Sequence, residues 1–357
     1  MLPEGFEARM CALLGSEYED FLASFDRPLC TGLRRNPLKT GFTGDLSRFS
    51  LSPVPWCPTG FYYDAVSRPG LSPYHAAGLY YLQEPSAMAP ADLLDPQPGE
   101  RVLDLCAAPG GKSTQLAGKL RGKGLLVCNE INAKRAKILS GNIERLGISN
   151  ALVLNEHPKR LEERFAGYFD KILVDAPCSG EGMFRKEPAA LEHWSEENIR
   201  LCAARGREIL DAAAAMVRPG GRLVFSTCTF APEENECQIA AFLMRHPEFE
   251  LVDPGVSFGR PSLSRISGAW VEVLRKNLSR TGCSQWAMLP SVQSGTRTCF
   301  TSCLARMRNC SLTMRGDGNR PPLKQSRRTV PAPTVSAPVR YCTVPTSRRR
   351  RSWLCGK

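Results

Sequence analysis

Between residues 99 and 226, short apolar runs alternate with stretches of helical period, and this alternation leaves few folds open. Runs at 101–105, 125–130, 151–155, 169–175 and 222–226 read as strands. Residues 113–120, 133–146 and 198–217 read as helices, the second stopped by Gly147 and the third by Pro219-Gly-Gly221. Parallel strands must be joined by crossovers, and the crossovers carry the helices, so the pattern predicts an α/β domain with a parallel sheet covered on both faces. In such sheets ligands bind in the crevice beyond the carboxyl ends of the strands, which is where chemistry is to be sought.

The chain flanks this region with two unlike segments. Residues 1–95 mix a helical stretch at 3–25, a Pro-, Trp- and Tyr-rich segment at 51–64 and a piece at 79–88 that is helix-like beyond its proline, which together suggest a small α+β accessory module. Residues 96–255 form the expected α/β domain. The formal charge of +12 invites a nucleic-acid reading, yet 19 of the 47 Lys and Arg lie from Phe258 onward against two acids there, Glu272 and Asp317. The body is therefore mildly acidic and the tail, 256–357, alone is basic. That tail combines Arg, Cys, Ser and Pro without sustained period, which reads as a disordered basic arm or as coding sequence out of frame.

Fifteen cysteines without C-x-x-C pairs, beside only four His, argue against a zinc site and suggest free thiols in a reducing compartment. No apolar run approaches the ~20 residues of a membrane span. The start, Met1-Leu-Pro-Glu-Gly-Phe-Glu, lacks a basic region followed by an apolar one, so a cytoplasmic protein is expected.

A glycine-rich turn follows the first strand: Cys106, Ala107, Ala108, Pro109, Gly110, Gly111 and Lys112. Adjacent glycines let a ligand approach the backbone, and the helix start behind them offers free N–H groups. Gly111-Lys-Ser113 tempts toward a phosphate-binding Walker loop, but that motif needs glycine where Cys106 stands. Glu130 closes the second strand 26 residues after Asp104, about one βαβ step on, where a carboxylate can accept from both hydroxyls of an adenosine ribose. Asp104 itself could bind loop amides or touch the cofactor.

Cys178 and Cys228 each follow an apolar run, in Ile172-Leu-Val-Asp-Ala-Pro-Cys178 and Leu223-Val-Phe-Ser-Thr-Cys228. Both open into the crevice, where a thiol is accessible and covalent chemistry is possible. From position alone either could attack. Cys106 is expected to pack behind the loop rather than react, and Cys128 and Cys202 to lie in the core. Lys112 could contact cofactor, substrate or Asp175. Arg185 and Lys186, and in the first module Arg34, Arg35 and Lys39, would suit phosphate contacts, although any exposed loop can hold a basic pair.

Cys106-Ala-Ala-Pro-Gly-Gly-Lys112, Asp175-Ala-Pro-Cys-Ser-Gly-Glu-Gly182 and Ser226-Thr-Cys-Thr-Phe230, in this order, resemble the Sun/RsmF-type RNA (cytosine-5) methyltransferases. Arg34-Arg-Asn-Pro-Leu-Lys39 and Gln83-Glu-Pro-Ser-Ala-Met88 resemble the N-terminal segments of that family, and Phe184-Arg-Lys-Glu-Pro188 its bacterial ribosomal-RNA branch. The resemblance covers about residues 1–255.

It implies a Rossmann-like methyltransferase domain that binds S-adenosylmethionine through the 106–112 loop, Glu130 and Asp175. The adenine-side acid of the family aligns with His157 of Asn155-Glu-His157, so His157 or Asn155 would take its place. It further implies an RNA substrate, ribosomal RNA first and transfer RNA as the near alternative, with no membrane, no metal and a monomeric enzyme. In the family the cysteine matching Cys228 attacks carbon 6 of cytosine, Asp175 assists at ring N3, and the cysteine matching Cys178 helps release the product. The chemistry explains the pair: carbon 5 is too weak a nucleophile until a thiolate adds at carbon 6, and the base must be flipped out to be reached. A non-catalytic RNA-binding or assembly factor on the same fold is the reading from another class.

Overall fold

The computed structural model describes residues 2–41, 45–255 and 270–277, all within one compact unit. Two layers of helices enclose a seven-stranded sheet of order β7-β6-β5-β8-β9-β11-β10. Its parallel part is β5 (Arg101–Asp104), β6 (Leu125–Asn129), β7 (Ala151–Leu154), β8 (Phe169–Asp175) and β9 (Val217–Thr227). Strand period sorts the side chains. Leu103, Ile172, Val174 and Phe225 face one layer, while Val102, Leu126, Leu173 and Val224 face the other.

The first layer holds α7 (Pro158–Phe165), α9 (Glu196–Met216) and α10 (Glu236–Arg245), through Leu161, Leu210 and Phe242. The second holds α4 (Ala89–Leu94), α5 (Gly111–Leu120) and α6 (Ala133–Arg145), through Leu94, Leu116 and Leu139. The expected strands and helices agree with these bounds to within a few residues. Helix α9 ends at Met216, three residues before the expected stop Pro219-Gly-Gly221, which lies inside β9 instead, near a register irregularity at Phe169–Lys171.

Strands β10 (Phe249–Leu251) and β11 (Trp270–Lys276) complete the sheet, β11 antiparallel to β9 over six pairs. The boundary expected at residue 255 is thereby corrected, because the sheet takes its penultimate strand from the segment read as tail. Seven residues that bury Val273 and Leu274 suffice for a strand once β9 offers its edge, and that edge is invisible in a one-dimensional period. The remainder of 256–357 lies outside the described residues, and with it the readings of a disordered or out-of-frame tail.

The first hundred residues supply α1 (Glu4–Leu14), α2 (Tyr18–Ala23), α3 (Pro73–Ala76) and a four-stranded antiparallel sheet. Its order is β2 (Ser52–Pro53), β3 (Gly60–Tyr62), β1 (Gly32–Arg35) and β4 (Tyr80–Leu82). Gly15, at φ 55°, breaks the helical stretch into α1 and α2. These helices do not pack with the small sheet. Phe6 and Phe21 instead meet Phe184 and Phe230, with ring centroids 4.9 and 5.4 Å apart, on the loops that follow β8 and β9. Among the described residues no helix is long and apolar enough to cross a membrane, and no cluster of three metal-ligating side chains occurs.

Candidate active site

The loop after β5 is held open from outside. Gly110 takes φ 111° at the N-cap of α5, a conformation that only glycine adopts without strain. The loop carbonyls are bound by neighbours: Arg135 donates to Ala108 O at 2.7 Å, Asn142 to Pro109 O at 2.8 Å, and Arg34 to Gly111 O at 3.1 Å. Beneath the loop, Ser113 donates to Asp104 Oδ2 at 2.6 Å, while Asp104 Oδ1 is buried without a partner. Burial pushes the Asp104 carboxyl up to about 7. Burial also raises the Cys106 thiol, so Cys106 stays protonated beside the loop rather than reactive. Cys128 and Cys202 are buried in β6 and α9, as expected.

Glu130, 3% exposed, follows β6 and faces the cleft. Its Oε1 accepts from Asn132 N at 2.9 Å and its Oε2 pairs with Arg135 at 3.3 Å. The two adenine-side candidates part company. Asn155 donates its amide to Glu130 O and Ile131 O at 2.7 and 2.9 Å, so it braces the turn after β6. His157 caps α7, its Nδ1 accepting from Lys159 N at 3.3 Å, and lines the cleft together with the exposed Ile131. Sequence reading passed over Ile131, whose signal would have been a large apolar residue directly after the acid.

Asp175 and the two thiols converge. Asp175 ends β8 opposite Ser226 of β9 in the parallel register, and Ser226 donates to Asp175 Oδ1 at 2.7 Å. Lys112 donates to the other oxygen, also at 2.7 Å. Of the uses weighed for Lys112, orienting Asp175 is therefore present in the structure. Burial alone would depress the Lys112 ammonium, but Asp175 outweighs it and raises the pKa.

Cys178 Sγ and Cys228 Sγ lie 3.2 Å apart as free thiols, and the Cys228 backbone N–H donates to Cys178 Sγ at 3.3 Å. One proton between two sulfurs makes them unequal. The hydrogen bond from Cys178 lowers the Cys228 thiol, with Lys112 helping against burial and Asp175. The same bond, together with burial, raises Cys178. A lowered thiol is the better nucleophile near neutral pH.

Of the basic residues, Arg34 departs from expectation. Arg34 is 1% exposed and spends its guanidinium on Gln83 Oε1 (3.1 Å), Gly111 O and Thr114 Oγ1 (2.6 Å). It ties the small sheet to the loop and α5 and is not available to phosphate, which corrects the reading made for it. Burial outweighs its surroundings and pulls its pKa down to about 10, so it remains charged. Arg185 donates to Arg27 O, and Lys186 pairs with Glu84 at 3.4 Å. Arg35 is exposed and stacks over Phe61 at 4.9 Å.

Two hollows meet at Asp175. A cleft of about 1070 Å³ is lined at one end by Cys106, Glu130, His157, Asp175, Cys178 and Cys228. A smaller one, of about 230 Å³, lies under the loop and is lined by Tyr81, Gln83, Glu84, Lys112 and Asp175. Asp175 thus lines both hollows.

A family model described as 16S rRNA methyltransferase RsmB/F matches residues 91–265, and one described as the N-terminal domain of 16S rRNA methyltransferase RsmF matches residues 2–85. A ribosomal RNA small subunit methyltransferase F from Klebsiella pneumoniae (strain 342) is 42% identical over 260 residues, 69% of this chain and 54% of that protein. Its counterpart in Escherichia coli O127:H6 is 41% identical over 247 residues, 66% of this chain and 52% of that protein. The chain spans about half the length of the curated relatives it matches. A solved methyltransferase homolog from Pyrococcus horikoshii is 30% identical with a TM-score of 0.66, over 77% of this chain and 95% of that one. NSun6 from the same organism, solved with SFG, shares the fold at TM-score 0.68 and 20% identity, over 78% of this chain and 99% of that one. With both of its segments matched in order and its loop, paired thiols and Asp175 gathered at one cleft, the chain belongs to the RsmB/F methyltransferase family.

Proposed function

We propose that the chain is an S-adenosylmethionine-dependent methyltransferase that makes 5-methylcytosine in ribosomal RNA, 16S rRNA being the substrate named for its relatives. The observation that carries this reading is the 3.2 Å pair of Cys178 and Cys228 beside Asp175. The donor set fits the cofactor. Cys106 and Ala108 of the loop, the buried Glu130 carboxylate, Ile131 and His157 line one cleft. Asp175 borders the cleft too, while Asn155 contributes by fixing the turn that presents Glu130. When bound, S-adenosylmethionine would supply the electrophilic methyl group.

The rest of the chemistry falls to this chain's own residues. The lowered Cys228 thiolate adds to carbon 6 of a flipped-out cytosine. A sulfur–carbon bond forms and the 5,6 electron pair moves toward carbon 5. Ring N3, on taking up a proton from water, donates it in a hydrogen bond to Asp175, which stabilises the adduct until that proton returns to water. Thioether formation removes the negative charge that held Cys178 protonated. Its proton can then pass to water, leaving a thiolate that takes the carbon 5 proton of the methylated adduct as Cys228 is expelled. An RNA substrate of this kind places the protein in the cytoplasm.

Labelled methyl transfer into ribosomal RNA should occur with the wild type and vanish in Cys228→Ala. In Cys178→Ala a covalent protein–RNA adduct should accumulate. Methylation that survives Cys228→Ala, or no adduct in Cys178→Ala, would sink the division of labour.

A further inference from the structure

Two buried carboxylates outside the mechanism join the loops that carry the thiols. Glu181, 2% exposed, lies on the Cys178 loop and reaches across to the Cys228 loop, accepting from Phe230 N at 2.9 Å and approaching Thr229 Oγ1 at 3.0 Å. Its other oxygen accepts from Trp194 Nε1 at 2.9 Å. Glu234, 3% exposed, lies beyond Cys228 and reaches back, accepting from Ser179 N at 2.9 Å and meeting Ser179 Oγ at 2.5 Å. Ser179 and Thr229, the immediate successors of the two cysteines, touch through their hydroxyls at 2.7 Å. The grip is reciprocal: each loop's carboxylate holds the residue beside the other loop's thiol.

Four oxygens therefore stand in a row, Glu234 Oε1, Ser179 Oγ, Thr229 Oγ1 and Glu181 Oε2, with three short contacts between them. Each contact needs one proton, and the two hydroxyls supply only two. The third must come from an end of the row. Glu181 is the poorer source, because both of its oxygens already accept N–H donors, Oε1 from Trp194 and Oε2 from Phe230, which favours its ionised form. On the reading of Cys178 and Cys228 as a working pair, we propose that Glu181 and Glu234 are positioning residues forming a one-proton chain, Glu234 neutral and donating, Glu181 ionised and accepting, that fixes the thiol–thiol separation. Burial agrees, since it pushes the Glu234 carboxyl up to about 7 against its Ser179 bonds. A buried polar chain is rigid only when every member is satisfied, so breaking either end should loosen both loops.

The two acids should then respond oppositely to the same substitution. Glutamine copies a neutral carboxyl group, so Glu234→Gln keeps the chain, whereas Glu181→Gln sets an amide N–H₂ against existing donors. Iodoacetamide alkylation of the free full-length protein, read by peptide mass across pH 5 to 10, gives the Cys228 to Cys178 reactivity ratio and the Cys228 pH profile. In Glu181→Gln that ratio should fall roughly tenfold, the equivalent of one unit of thiol pKa. Glu234→Ala and Thr229→Val should do the same, with Thr229→Val as the substitute should Glu181→Gln not fold. Glu234→Gln should stay within about twofold of wild type. Glu233→Gln, which alters only the outer ion pair with Arg9, should match wild type.

A wild-type ratio in both Glu181→Gln and Thr229→Val would overturn the latch, and a collapse in Glu234→Gln would overturn the neutral donor. No RNA or cofactor enters this assay. A failed latch and a failed methyl transfer are therefore seen separately.

Discussion

Lys112 Nζ stands 2.7 Å from Asp175 Oδ2, and its charge reaches Cys228 as well, where it favours the thiolate. Replacing Lys112 by Met should remove that support and leave Asp175 held by Ser226 alone. The expected result is a raised Cys228 thiol, and with it roughly tenfold less thiolate at neutral pH. Alkylation rates across pH read this directly.

Arg34 is the bond between the small sheet and the cofactor loop. Arg34→Met keeps much of the volume but leaves Gln83 Oε1 and Thr114 Oγ1 without their donor, while Gly111 O keeps that of Thr114. Buried acceptors left unmet cost about 1–3 kcal/mol each, so a loss of about 2–6 kcal/mol in urea unfolding is expected. Retained stability would mean that these acceptors find water or new partners.

Gly110 tests the loop itself. An added Cβ would keep φ 111° and approach Leu139 Cδ1 at 3.1 Å. Gly110→Ala should cost about 1–3 kcal/mol of strain, and calorimetry should show weaker S-adenosylmethionine binding even where the protein remains folded.

Asp104 makes a pH prediction. Its carboxyl is lifted from 3.8 to about 7 by burial. The folded chain thus holds a proton there that the unfolded chain releases near pH 4. Its contribution to stability is full below that pH and lost as pH rises through 7. Asp104→Asn can still accept from Ser113 and does not titrate. The variant should gain about 2–3 kcal/mol on wild type between pH 5 and pH 8. A gap that does not change with pH would show that Asp104 is ionised throughout.

Some of the site was legible because it follows from neighbours in sequence. The glycine turn, Glu130 and the residues closing β8 and β9 all sit at strand ends, and strand ends are marked by the apolar runs before them. Asp175 and Ser226 are paired by the parallel register of those same strands, a contact that strand order alone would have suggested.

Other parts were not legible. Arg34 looks like a surface cation in a basic string, and only the packing of β1 against α5 buries it. Glu181 and Glu234 carry no local signal, since their partners lie 48 to 55 residues away on another loop. Strand β11 stands in a stretch without period and is recruited by the free edge of β9.

By itself, the sequence determined the alternation that makes a parallel sheet, the loop that opens its crevice and the two thiols at its rim, because these depend on residue type and short-range period. Only the tertiary structure decided that the two thiols touch, that Lys112 holds Asp175, that Arg34 is buried, and where the sheet ends. Those outcomes depend on distances between segments, and on the burial that makes an unpaired charge or donor costly.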